Sequence, residues 1–353
     1  DAEQTSTDFG KNNVESLDGA AVKQALLEAG LFGYINQLPY AVSTTPDTTP
    51  KAIFVSALRD MPLAADFEVE LAGNEEAFQA GLTALSKIAK TYLGVGVEQH
   101  CNALGEAKNV ELNVFDGPCP AGNVGIQVNN IDPVNKGEVV WTVDPASVIF
   151  FGRLFLTGKV DLHKKVAIAG SEMELTGYAN VLVGTPLAAF VEAQLKSTSH
   201  VRLINGNPLT GVKTTLADYV GGHTSEITAI PEGDDCDEML GWILPRTDQF
   251  STSRSYLSWL FGKKKEYNLD ARVKGGERYM IMSGEYDKVL PMDIYGEYLI
   301  KAIIAGDIDK QEQLGIYEVS PEDFAVAEFV DSSKLELQKI VRDGLNILRK
   351  ENA

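Results

Sequence analysis

Cysteine is scarce in this sequence of 353 residues, and long apolar runs are missing. The three cysteines, Cys101, Cys119 and Cys236, are far apart and odd in number. This pattern argues against a disulfide framework and favours a reducing compartment. The longest apolar stretch, Val148–Phe151, resumes only briefly at Leu154–Leu156. A bilayer span needs about 20 apolar residues, so the sequence predicts none.

Positive charge is also in short supply. The 31 lysines and arginines face 50 aspartates and glutamates, which gives a formal net charge of −19. Such an acidic chain repels phosphate backbones, so we expect no nucleic-acid partner. The basic run Lys263–Lys265 is interpreted as a solvated loop, because a lipid-headgroup contact usually needs more basic residues.

Motifs that hold metals, cofactors or nucleophiles are missing as well. None of the four histidines pairs with another four residues away, and no Cys-x-x-Cys occurs. Gly94 and Gly96 lack the third glycine of a dinucleotide fingerprint. Neither a phosphate-binding loop of the Gly-Lys-Ser/Thr type nor a Gly-x-Ser-x-Gly elbow is present. The acidic residues within 232–238 lack calcium-loop spacing and are interpreted as a solvated loop. We therefore predict no catalytic, cofactor-binding or metal-ligating residue.

Helices alternate with short apolar strands in the first part of the chain. The polar residues 1–16 are predicted to be a frayed lead-in, and the absence of an initial Met leads us to expect that a cut removed an N-terminal segment. Helices are predicted after the caps Asp18 and Asn74, and after Asp144-Pro145. Strands are predicted at Lys51–Ala57, Leu93–Val97, Val110–Phe115 and Val139–Val143. This order indicates a parallel sheet with crossover helices.

The rest of the chain changes character. Strands at Val166–Ala169 and Val201–Ile204, with a helix at Leu187–Leu195, predict a small α+β module. A further strand is predicted at Glu226–Ile230. Two late helices each carry one apolar stripe and are predicted to pack in a helical end-domain; the stripes comprise Ile294, Tyr298, Leu299, Ala302 and Ile303 in one and Leu337, Val341, Leu345 and Leu348 in the other.

A glycine- and proline-rich break interrupts the pattern at Gly117–Asp132. Its first part, Gly117–Gly125, predicts a rigid loop that lets another backbone or a flat ligand come close. Composition alone favours a rigid connection without a ligand by about two to one. The candidate ligand-lining residues are Gly117, Pro118, Pro120, Ala121, Gly122 and Gly125.

Several ordered segments resemble the NqrA family, which supplies one subunit of the Na+-translocating NADH:quinone oxidoreductases. The matching segments are Pro50–Ala57, Pro62–Ala64, Gly117–Gly122, Ile131–Val134, Val139–Trp141, Gly152–Gly158, Leu290–Ile294, Ala305–Asp307 and Val341–Asp343. They run from residue 50 to residue 343, so the resemblance covers nearly the whole chain. Jointly they are specific, although each is short.

The resemblance implies an α/β plus α+β fold in three parts. It implies a Rossmann-like domain related to the flavin-binding subunit of respiratory complex I, a small β-grasp module of the SLBB type and a helical C-terminal domain. We place these at residues 1–158, 159–213 and 214–353. Val166–Gly170, Gly177-Tyr178 and Val183–Pro186 match the β-grasp pattern.

The resemblance also implies a function. The family member is a peripheral, cofactor-free component that docks on a membrane subunit of the complex, at the cytoplasmic face of the bacterial inner membrane. Flavins and an iron–sulfur centre are expected in partner subunits, and the family member is expected to help form the quinone site. The isolated chain is not expected to be catalytic.

Two departures from the family limit what carries over. The family often has a histidine where this chain has Cys119, so a proton-donor role does not transfer. Many members carry cysteines in the segment aligned with Ala327 and Asp331, so a thiol role does not transfer either.

Three hypotheses remain open on the sequence. In the first, the chain is a cofactor-free accessory subunit that shapes quinone access, with backbone N–H groups of the loop Gly117–Gly125 available to a quinone carbonyl. In the second, the chain is a stand-alone flavin or nicotinamide oxidoreductase on a divergent Rossmann-like fold. In the third, it is a pure assembly scaffold.

Overall fold

A six-stranded sheet organises the first part of the chain. The computed structural model describes residues 6–234, 243–252, 254–261 and 265–352. The strands are β1 Ile35–Leu38, β2 Val42–Ser43, β3 Ile53–Ser56, β4 Thr91–Gly96, β5 Glu111–Phe115 and β6 Val140–Val143. Their order is β2-β1-β6-β3-β4-β5, in which β6, β3, β4 and β5 are parallel and the β1 and β2 pairings are antiparallel. The predicted parallel sheet is confirmed.

Helices cover this sheet on both faces. They are α1 Gly19–Glu28, α2 Phe67–Leu71, α3 Glu75–Ile88, α4 Asn102–Gly105, α5 Val124–Ile131 and α6 Pro145–Thr157. Helices α2 to α5 lie in the connections between the parallel strands of the sheet. Asp18 and Asp144 cap α1 and α6 as predicted, because their carboxylates accept hydrogen bonds from Ala21 N and Ala146 N. Asn74 precedes α3 but does not cap it. Its side chain is instead hydrogen-bonded to Arg153 at 2.7 Å.

Two sequence predictions for this part are wrong. The lead-in is not frayed over its described residues, since Phe9 N donates to Gly158 O at 2.8 Å and Asn12 N to Phe155 O at 3.2 Å. Backbone hydrogen bonds hold it, and such bonds produce no apolar stripe in the sequence. The glycine-rich break contains α5, whose residues Ile126 and Val128 are buried although the surrounding composition is typical of a loop.

Helices α3 and α6 pack backbone against backbone. A Cβ on Gly81 would lie 2.1 Å from Val148 O, and one on Gly152 would lie 1.7 Å from Ala77 O. The two glycines therefore let the helices approach more closely than any side chain would allow. This contact lies in the apolar core formed by α1, α3, α6 and one face of the sheet.

The second sheet has a β-grasp arrangement. Its strands are β7 His163–Ala169, β8 Gly177–Leu182, β9 Val201–Asn205, β10 Val212–Thr214 and β11 Glu226–Pro231. The order is β10-β9-β11-β7-β8, with β11 parallel to β7 in the centre. Between β8 and β9 lies the short helix α7, Ala188–Val191, followed by a 3-10 turn, Glu192–Gln194, in place of the longer predicted helix.

The boundary placed at residue 213 divides this sheet. Strand β11 begins at Glu226, beyond that boundary, yet it pairs with β7 on one side and β9 on the other. A division that keeps the sheet whole ends after Pro231, so we propose residues 159–231 for the β-grasp module. Nothing in the sequence pattern indicates that the central strand of the sheet is the last of its strands along the chain.

Helices dominate the C-terminal part. They are α8 Gly296–Ala305, α9 Ile308–Gln313, α10 Ala325–Val330 and α11 Leu337–Glu351. The predicted stripe of α11 is fully buried against α8, and Leu299 of α8 is buried with it. Tyr298, predicted on the stripe of α8, is instead 60% exposed. Among the described helices, none combines the length and apolar character needed to cross a bilayer.

Candidate functional site

The carboxyl ends of β6, β3, β4 and β5 meet at one edge of the first sheet. In open parallel sheets, ligands bind at this edge, beside the pair of strands whose connections leave on opposite faces. Here that pair is β3 and β6. The chain runs from β3 outward to β4 and β5, and then returns through α5 to β6 on the other side of β3. Ile53 and Val55 face the core with α3 and α6, whereas Phe54 packs in the cluster with Val128 of α5.

The crevice beside β3 and β6, where the strand order reverses, is the switch point of the sheet. A buried cluster of charged side chains fills it. Arg59 follows β3, and its guanidinium lies 3.3 Å from Asp144 Oδ2, after β6, and 3.4 Å from Glu70 Oε2, in α2. Only 12% of the Arg59 side chain and 4% of the Glu70 side chain are exposed. Burial lowers the pKa of Arg59, but the two carboxylates outweigh it and raise that pKa overall.

The second sheet completes the cluster. Lys164 on β7 is 3% exposed and donates to Gly222 O, and Glu226 on β11 is 5% exposed and accepts from Ala65 N at 3.1 Å. Burial raises the pKa of Glu226 and lowers that of Lys164. The crevice in which related sheets place a ligand is thus occupied by the chain's own ions, contributed by both sheets.

The predicted loop Gly117–Gly125 lies beside this cluster, after β5. Its first residues, Gly117 and Pro118, are exposed, whereas Pro120 and Ala121 are buried. The Ala121 N–H donates to Pro118 O, which fixes the turn. At the exposed end of the loop, the N–H groups of Gly117 and Cys119 donate no hydrogen bond to any described residue.

The middle of the loop packs on the segment that follows β3. The hydroxyl of Ser56 donates to Gly122 O at 2.8 Å, and a Cβ on Gly122 would lie 2.6 Å from Asp60 Oδ1. Neither carboxylate oxygen of Asp60 has a hydrogen-bond partner of ordinary geometry among the described residues. Burial raises the pKa of Asp60, although nearby N–H groups of Gly122 and Ala121 oppose that shift.

Cys119 is a neutral thiol in this loop. Its sulfur lies 3.5 Å from the sulfur of Met61, and burial together with the charge of Asp60 raises the pKa of Cys119 to about 11. A thiol with that pKa holds its proton at neutral pH and is a poor nucleophile.

The far end of the loop meets the C-terminal helices. Asn123 does not cap α5; its amide donates to Asp323 Oδ1 at 3.2 Å. A Cβ on Gly125 would lie 2.3 Å from Asp323 Oδ2, so this glycine permits the contact. Ser320 donates to the same carboxylate through its N–H and its hydroxyl.

We predict that Asp323 makes stability depend on pH. Its side chain is fully buried, which raises its pKa to about 7 despite its hydrogen bonds. The folded chain therefore keeps a proton that the unfolded chain releases near pH 4, so its stability falls as pH rises towards 7. Between pH 5 and pH 8, the unfolding free energy of the wild type should fall by about 3 kcal/mol more than that of Asp323→Asn. Urea unfolding at both pH values measures it. The exposed Asp309→Asn is the control, and parallel wild-type and Asp323→Asn profiles would contradict the prediction.

The described residues contain no group of three or more histidine, cysteine, aspartate or glutamate side chains placed to hold a metal ion. The described part of the predicted acidic loop is not simply solvated. Arg202 donates to both oxygens of Glu232 at 2.6 Å, and Asp234 Oδ1 lies 2.8 Å from His200 Nδ1. Asp235, Asp237 and Glu238 lie outside the described residues.

Comparison with known proteins decides the family. Residues 17–160 match the NqrA second alpha/beta domain, and residues 165–215 match the family's SLBB model, described as the NQRA C-terminal domain. The NqrA subunit of the Na(+)-translocating NADH-quinone reductase from Vibrio vulnificus is 34% identical over 352 residues, which are 99% of this chain and 78% of that protein. The chain belongs to the NqrA family.

Other NqrA proteins show similar coverage. That of Neisseria meningitidis serogroup B is 34% identical over 343 residues, 95% of this chain and 75% of that protein. That of Yersinia pestis bv. Antiqua is 32% identical over 350 residues, which are 97% of this chain and 76% of that protein. A solved NAD+-reducing NiFe-hydrogenase in the air-oxidized state aligns at a TM-score of 0.44 and 15% identity over 61% of this chain and 47% of that one.

The predicted family and its mixed α/β fold with an SLBB module are confirmed. The position at which many NqrA proteins are expected to carry cysteines is internal here, with Ala327 and Asp331 each 1% exposed. Sequence reasoning missed the charged cluster of this NqrA. One signal was present, since Lys164 is in phase with Val166 and Ile168 on β7, and so points to the buried face.

Proposed function

We propose that this NqrA chain acts as the peripheral subunit of a sodium-pumping NADH:quinone oxidoreductase and helps to form its quinone site. The observation that carries the proposal is its similarity to another NqrA protein over 352 residues. It docks on a membrane subunit of the complex, at the cytoplasmic face of the bacterial inner membrane. Its acidic balance, −19 overall, suits a partner whose cytoplasmic loops are rich in lysine and arginine.

The redox groups belong to partner subunits in this proposal. Flavins and an iron–sulfur centre reside there, and this chain contributes shape and hydrogen bonds. The filled switch point supports this division. Arg59, Asp144 and Glu70 occupy the crevice where a parallel sheet would hold a nucleotide.

The exposed end of the loop is the part that faces the quinone. A quinone headgroup is flat and mostly apolar, with two carbonyl oxygens that accept hydrogen bonds. Gly117 and Pro118 offer a surface with little side-chain bulk, and the N–H groups of Gly117 and Cys119 are unused by the described residues. Pro120, Ala121, Gly122 and Gly125 hold the loop in place from behind.

We predict that Gly117→Leu raises the KM of the assembled complex for quinone several-fold while leaving its NADH-dependent reduction of a soluble acceptor unchanged. A Cβ at position 117 meets only the Cβ of Ala121, at 3.6 Å, so the fold tolerates the side chain. Gly177→Leu, in an open position on β8, is the matched control. Steady-state quinone titrations measure the effect.

The outcomes separate the hypotheses. An unchanged quinone KM in Gly117→Leu, with normal assembly, would favour the scaffold. A bulky residue at Gly122 is an unsuitable test, because its Cβ would collide with Asp60 and with Leu58 O, 2.7 Å away. A flavin band in the visible spectrum of the purified chain would instead favour a stand-alone oxidoreductase.

A further inference from the structure

One short segment of the chain presents apolar rings to solvent. In the 3-10 helix Leu257–Phe261, Ser258 is buried at 2% exposure and anchors the turn. Four large side chains of this helix point outward; they are Leu257 at 45%, Trp259 at 48%, Leu260 at 59% and Phe261 at 63% exposure. Such a concentration of exposed apolar groups marks an interaction site.

Cations lie on the same surface as these rings. The Arg254 guanidinium carbon is 5.8 Å from the centroid of the Trp259 ring, and Lys265 Nζ is 5.1 Å from that of Phe261. The Lys265 ammonium also donates to Thr247 O. We call Leu257, Trp259, Leu260, Phe261, Arg254 and Lys265 the aromatic–basic surface.

The local charge is opposite to that of the whole chain. Residues 249–265 contain Arg254 and Lys263–Lys265 but no acidic residue, although the net charge of the chain is −19. Lys263 and Lys264 lie outside the described residues. Lys265 is half-buried and lies against the ring of Phe261, so the solvated-loop interpretation does not hold for this member of the run. An anionic membrane repels the rest of this acidic chain, so it would favour contact through this surface alone.

We propose that the aromatic–basic surface binds the face of a bilayer that contains anionic lipid. Tryptophan and phenylalanine beside arginine and lysine match the chemistry of that interface, where rings lie at headgroup level and cations meet phosphate. An acidic protein surface would satisfy the cations but would leave the exposed rings of Trp259 and Phe261 without an apolar environment. This inference does not depend on the proposed quinone site.

Vesicle sedimentation of the purified protein tests the charges. Wild-type protein should pellet with vesicles of phosphatidylcholine and phosphatidylglycerol, and far less with phosphatidylcholine alone. Arg254→Gln/Lys265→Gln should reduce the partition coefficient roughly 25-fold, at about fivefold for each cation. Lys310→Gln/Lys339→Gln is the matched control, since those side chains are 68% and 70% exposed elsewhere.

The rings are tested in the same assay. Trp259→Ala/Phe261→Ala should weaken binding to the anionic vesicles, whereas Tyr295→Ala/Tyr298→Ala, an exposed aromatic pair on and beside α8, should not. Circular dichroism confirms that each variant is folded.

Brominated phospholipids locate the contact. They should quench the fluorescence of a Trp242→Phe variant on anionic vesicles, and adding Trp259→Phe should abolish most of that quenching, because the remaining tryptophan, Trp141, is fully buried. Quenching that persists in the double variant Trp242→Phe/Trp259→Phe would overturn the assigned contact. Absence of vesicle binding at low salt, or binding unaffected by both sets of substitutions, would overturn the proposal. Impaired assembly of the complex without any vesicle binding would assign the surface to a protein partner instead.

Discussion

Arg59→Met is expected to lower the free energy of unfolding by roughly 3–5 kcal/mol, the usual cost of removing one partner from a buried ion cluster. The arginine is the common partner of Asp144 and Glu70, at 3.3 and 3.4 Å. Methionine fills much of the space but leaves two carboxylates facing each other without the shared cation. Urea unfolding at pH 7, followed by far-UV circular dichroism, measures the loss.

An exposed ion pair provides the comparison for Arg59→Met. Lys90 lies 2.8 Å from Glu111, with side chains 56% and 51% exposed. Lys90→Met should leave the free energy of unfolding almost unchanged, because water already screens that pair. If Arg59→Met destabilised the chain no more than Lys90→Met does, the cluster at the switch point would not be a buried, mutually compensated set of charges.

Gly152→Ala is expected to destabilise the chain by roughly 3 kcal/mol. Alanine is the better helix former by about 1 kcal/mol, so helix propensity alone predicts the opposite sign. The added Cβ would lie 1.7 Å from Ala77 O, and backbone cannot yield as a flexible side chain can. Helices α3 and α6 must therefore separate, which opens gaps in the core around them.

Gly105→Ala is the control for this substitution. Gly105 ends α4, and nothing lies within 4 Å of the Cβ that it would gain. The unfolding free energy of Gly105→Ala should differ from that of the wild type by no more than about 1 kcal/mol. Equal midpoints for Gly152→Ala and the wild type in the same urea titration would show that the two helices are not held in backbone contact.

Local signals in the sequence predicted much of the architecture. Asp18 and Asp144 begin helices because a carboxylate can satisfy free N–H groups, a rule that needs no tertiary information. Helix α5 escaped prediction because its glycine and asparagines favour loops. It forms because Ile126 and Val128 are buried by elements distant in sequence, and because Gly125 admits the carboxylate of Asp323.

The candidate site was predictable only in part. The loop Gly117–Gly125 stood out because glycine and proline constrain the backbone locally. The ion cluster did not, since Arg59 meets Asp144 only after the chain has passed through two further strands and returned. Pairings that depend on such a crossover are set by topology, and residue spacing carries no trace of them.

The order of the strands in the second sheet constrains how the protein is made. Domains tend to fold from the N-terminus as they leave the ribosome. Here the sheet lacks its centre until β11 emerges, so β7 and β9 expose unpaired edges throughout that interval. Glu226, on the same late strand, accepts the N–H of Ala65, which is 161 positions earlier. The N–H of Ala65, in the first module, therefore lacks its buried acceptor until this last strand of the second module has been synthesised.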